Sequence, residues 1–91
     1  MEDQEERLVQ MGNAAEVLLD TEAFSTTINQ LVDASFQSFS NSAAGEVEKR
    51  EQAYHHYRAL VDIVSTLKQR VQIKDEIITK ANDDNNQTGE E

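Results

Sequence analysis

The chain has 91 residues, a formal net charge of −10, no cysteine, no proline and only three glycines. A chain this short forms one domain at most and buries only about 60% of its unfolded surface, so its core needs support from elsewhere. Disulfides and thiolate metal sites are excluded as that support, and no run reaches the roughly 18 apolar residues of a membrane span.

The charge is unevenly placed. Residues 1–20 carry −5 and residues 81–91 carry −4, whereas residues 21–45 carry −2 and residues 46–80 carry +1. An acidic chain of this kind does not bind nucleic acid through its whole surface. The opening "MEDQEERLVQ" lacks the apolar stretch of a secretory leader, so a cytoplasmic location is expected.

Three helices are expected, in an all-α fold. The first runs from about Asp3 to Leu19, with Leu8, Met11, Ala15 and Leu18 on one face. The acids Glu2, Asp3, Glu5 and Glu6 suit its start, where the amide dipoles favour negative charge. Gly12 falls in its middle and weakens it by about 1 kcal/mol relative to alanine.

"LLDTEAF" then reads as a stop and restart, with Asp20 as the N-cap of the second helix. That helix runs from Thr21 to about Phe39, with Phe24, Ile28, Leu31, Val32, Phe36 and Phe39 along one side. Its other side holds Ser25, Thr26, Thr27, Asn29, Gln30, Gln37 and Ser38, with Asp33 the only charge. A freely solvated helix face usually carries more Lys, Glu and Arg than this; hydroxyls and amides beside three phenylalanines suit a surface that meets protein, and equally a serine-rich helix that stays exposed.

"SNSAAGE", residues 40–46, is the loop, rich in small residues and turn formers. The third helix spans about 44–80. Ala53, Tyr57, Leu60, Val64, Leu67, Val71 and Ile78 form a heptad-like stripe in it, broken at Lys74. Residues 82–91 have nothing apolar to bury and are expected to form a disordered acidic tail, leaving a single helical domain over residues 1–81. The short loop implies an antiparallel helical hairpin with one arm broken at Asp20, or a small three-helix bundle if that break turns sharply.

"YHHY", residues 54–57, has the look of a metal site, but adjacent helical residues point about 100° apart. His55 and His56 therefore cannot face one ion, and Glu51, His55 and Asp62 span nearly three turns. No metal or cofactor is expected. Neither a phosphate-binding glycine loop nor a Ser-His-Asp set appears, so no catalytic residue or small-molecule substrate is expected and the chain reads as a non-enzyme.

Two surfaces remain as candidates. Leu31, Phe36, Phe39, Tyr57, Val64, Leu67, Val71 and Ile78 would form the hairpin core and a protein interface. Lys68, Arg70 and Lys74, the only local basic run, would contact nucleic acid or an acidic partner, or form a solvated helix face.

The segment "AEVLLDTEAFSTTINQLVDASFQSF", the polar loop, and "EKREQAYHHYRALVDIVSTLKQRVQIKDEI" together resemble a group of short acidic helical phage proteins encoded among head-assembly genes. The shared features are the leucine pair before a capping residue, an Arg-Glu pair after the loop (Arg50, Glu51) and the "RAL" at Arg58–Leu60. Thr21 stands where such proteins often have proline. The resemblance spans residues 14–78 and implies phage origin and an assembly role, with self-association or a protein partner. A looser similarity to small terminase subunits implies a DNA-packaging or regulatory alternative. The acidic ends leave a third, an inhibitor of a host DNA-binding enzyme.

Overall fold

The computed structural model describes residues 2–89, with side chains described as far as Asp84. The fold is all-α: α1 spans Asp3–Asp20, α2 Glu22–Ser40 and α3 Val47–Gly89. α1 packs against the C-terminal part of α3, and α2 against its N-terminal part. α3 runs nine residues past its expected end at 80, so residues 82–89, expected as a disordered tail, continue the helix, and residues 90 and 91 lie outside the described residues.

The break between α1 and α2 is one residue later than expected. Asp20 closes α1, and Thr21 is the extended residue, at φ −77° and ψ 120°. Its side chain makes no capping hydrogen bond, although its carbonyl accepts from the Ser25 amide at 3.1 Å. Two facts account for the shift: no proline bars α1 from continuing through Asp20, and a β-branched threonine is at ease in extended backbone.

The loop between α2 and α3 is held by bonds that its small residues make possible. The Asn41 amide donates to the Gln37 carbonyl at 2.9 Å, and the Ser42 hydroxyl donates to the Phe39 carbonyl at 2.7 Å. Glu46 accepts from the Ala43 amide through its side chain (2.8 Å) and donates its own amide to the Ala43 carbonyl (2.9 Å). The two bonds close a turn over residues 43–46 immediately before the helix. Arg50 reaches back from the first turn of α3 and donates to the carbonyls of Ala43 (2.6 Å) and Ala44 (3.2 Å). α3 accordingly starts at Val47 rather than at residue 44.

Backbone contacts divide the chain into two compact units, residues 1–18 with 66–91, and residues 19–65. In the first, Gly12 of α1 lies against Lys74 and Arg70 of α3, and the seam residues Leu8, Ala15, Leu67, Val71 and Ile77 of the same unit are buried or half-buried. Gly12 and Ala15 are buried, and the interval of three and four between seam residues is that of helices packed along their length. Leu18, expected on this face, is exposed.

Gly12 permits the closest approach. A methyl group at this position would run into the Lys74 Cβ and come within 2.7 Å of the Arg70 carbonyl oxygen. Lys74, the break in the apolar stripe, is only 7% exposed; its ammonium donates to the Glu16 carboxylate and lies 3.5 Å from Asp75.

In the second unit α2 and the first half of α3 form an antiparallel hairpin. Its centre is made by small side chains, Ser35 and Ala53, both buried. Phe24, Ile28, Val32, Leu60, Val61 and Val64 are half-buried around them. Among the described residues no large apolar side chain is fully buried. The hairpin is thus a two-helix layer whose apolar stripe is covered from one side only.

Candidate protein-binding surface

Close packing at Ser35 and Ala53 leaves a groove along each flank of the hairpin. On one flank Phe36 and Phe39 from α2 face Tyr54 and Tyr57 from α3, with Ser35 and Ala53 as the floor. The groove encloses about 310 Å³. Its four aromatic side chains are 66%, 47%, 53% and 41% exposed, in that order.

Helical geometry explains the grouping. Phe36 and Phe39 are three apart on α2, and Tyr54 and Tyr57 are three apart on α3, so each pair stacks along one face. The antiparallel run then sets the two pairs opposite each other across the small-residue seam. The ring of His55 stands edge-on to Tyr54, at a centroid distance of 5.9 Å and an interplanar angle of 62°.

No formal charge lines this groove. Arg50 is occupied by the loop carbonyls, and Arg58 pairs with Asp62 at 3.5 Å along the helix. The opposite flank is different. There Leu31, Ala34 and Leu60 share a groove of about 400 Å³ with Lys49, Gln52 and His56.

The structure therefore divides the expected interface set. Phe36, Phe39 and Tyr57 come together on one flank, and Leu31 lies on the other. Val64 is half-buried in the hairpin unit, while Leu67 and Val71 are half-buried in the unit formed with α1. Ile78 is exposed, and Ile77 is the more covered of the pair. Tyr54, which the heptad stripe leaves out, belongs to the aromatic flank; its spacing of three from Tyr57 is the signal that identifies it.

The basic run is likewise divided. Lys68 and Arg70 are exposed, but Lys74 is turned into the contact with α1. The hydrogen bond to Glu16 holds its pKa above the ordinary lysine value, opposed by desolvation and aided by the nearby Glu16 and Asp75 charges. The three cations do not form one open patch.

Among the described residues no group of three or more His, Cys, Asp or Glu is placed to hold a metal ion, and no helix is long and apolar enough to cross a membrane. No protein-family model, curated protein or solved structure matches the chain.

Proposed function

We propose that this chain is a non-enzymatic assembly protein of the phage head-morphogenesis type, acting through helix-mediated binding to protein. One observation carries the reading: four of the five aromatic side chains of the hairpin, Phe36, Phe39, Tyr54 and Tyr57, are about half open to solvent. Folding normally covers such groups, and burying each large apolar side chain stabilises by roughly 1.5–3 kcal/mol. A chain of this size has little stability to spare, so leaving them open favours a partner that completes the core. The charge-poor outer side of α2 agrees with this, since charged residues are depleted at the centres of protein interfaces. The phage context comes from the resemblance of residues 14–78 to short head-assembly proteins.

The test is co-expression with the head components of the phage that encodes the chain, followed by mass measurement of purified complexes. A defined complex with a head component, or incorporation into particles, is expected. Absence of the chain from every head intermediate and from finished particles would contradict the reading.

A further inference from the structure

The aromatic flank holds both a projection and a recess. Phe36 stands out from α2, and beside it lies the groove whose floor is Ser35 and Ala53. Under a twofold axis the same patch meets itself, so each copy can offer its most exposed ring to the groove of the other. Resting on the assembly reading above, we propose that the aromatic flank of α2 and α3 is closed by the same flank of a second copy of this chain.

Area supports that occupant. At about 200 Å² per aromatic side chain, the four exposures leave about 400 Å² of open aromatic surface on one copy. Two copies contribute about 800 Å² from these rings alone. Val47, exposed and seven residues before Tyr54 and so on the same face of α3, brings the contact to about 1,000 Å² when all of these side chains are covered, the size at which specific interfaces begin.

Charge supports it as well. An uncharged groove calls for an uncharged occupant, and residues 21–45 carry only Glu22 and Asp33. The acids that would make two copies repel are concentrated at residues 1–20 and 81–91, and added salt screens them. Packing of rings against rings is not screened. The contact therefore strengthens as ionic strength rises, the reverse of what an acidic chain on a basic partner does.

The experiment is sedimentation equilibrium of the full chain at low and high salt, with circular dichroism on every sample. Expected is a mass of twice 10.3 kDa, with tighter association at high salt. Phe36→Glu remains helical and dimerises at least about a hundredfold more weakly, because a twofold contact loses the ring twice. Tyr54→Glu does the same, which guards against a folding defect in either variant. Leu31→Glu, on the opposite flank, leaves the dimer intact.

A monomer at every concentration and salt, or a dimer lost with Leu31→Glu and kept with Phe36→Glu, would overturn the proposal. Failure of the broader reading looks different. A monomer that forms a defined complex with a head component, abolished by Phe36→Glu, removes the second copy as occupant but keeps the assembly role. A monomer whose Phe36→Glu form enters particles as the wild type does removes the aromatic flank from both.

Discussion

At position 12 an alanine would favour the helix by about 1 kcal/mol, yet the chain has glycine. The contact across to α3 outweighs that preference. An added methyl would meet the Lys74 Cβ and the Arg70 carbonyl, and the carbonyl belongs to backbone that cannot rotate away. Gly12→Ala is therefore expected to destabilise by about 1–3 kcal/mol, as overpacked sites do. A lower urea midpoint would bear this out, and a higher one would mean that the helices part freely. Lys74 itself predicts an alkaline transition. Its folded pKa is raised, chiefly by the bond it donates to Glu16. The stabilisation is thus fully present below the unfolded value of about 10.4 and is lost as pH rises through the folded value. Lys74→Met should flatten that alkaline loss; an unchanged pH dependence would show that other groups cause it. Position 74 stands out from the sequence as the break in an apolar stripe. Its partner does not, because Glu16 lies 58 residues away and nothing local links the two. The same distance hides the role of Gly12, which by propensity alone looks like a weakness.

The helices themselves were readable because their causes are local. Period, charge at the helix starts and the scarcity of breakers specify three helices, and the small polar residues of 40–46 specify the turn. The start of α3 moved by three residues where side-chain bonds decide it, while its end moved by nine, from 80 to Gly89. α3 begins at Val47 because Glu46 and Arg50 draw the preceding residues into the turn. Arg50→Ala should accordingly cost about 1–2 kcal/mol by freeing two loop carbonyls, with little change in helix content. Unfolding measured by circular dichroism checks this, and a midpoint equal to wild type would show that the turn closes without it. The pairing of α2 with α3 depends on the small seam. Ala53→Leu should force the helices apart at Ser35 and cost about 1–3 kcal/mol. A stabilised Ala53→Leu variant would mean that the seam is slack. Small residues at a helix crossing are hard to recognise in advance, since serine and alanine suit solvent equally well.

For the chain as a whole, the decisive property is what stays uncovered. Large apolar side chains are present in sufficient number for a core, yet among the described residues none of them is fully buried. Phe36 and Phe39 were legible as interface candidates from their place on a charge-poor helix. Their separation from Leu31, on the other flank of the hairpin, was not, because periodicity gives a face and not which neighbour covers it. On the proposed reading a second copy supplies the missing layer, and stability then depends on the concentration of the chain. The most direct measurement is the thermal unfolding midpoint of the full chain across a hundredfold range of concentration. A midpoint that climbs steadily with concentration is predicted, with Phe36→Glu lower and flat. A wild-type midpoint independent of concentration would contradict the account, because the hairpin would then be stable with its aromatic flank open.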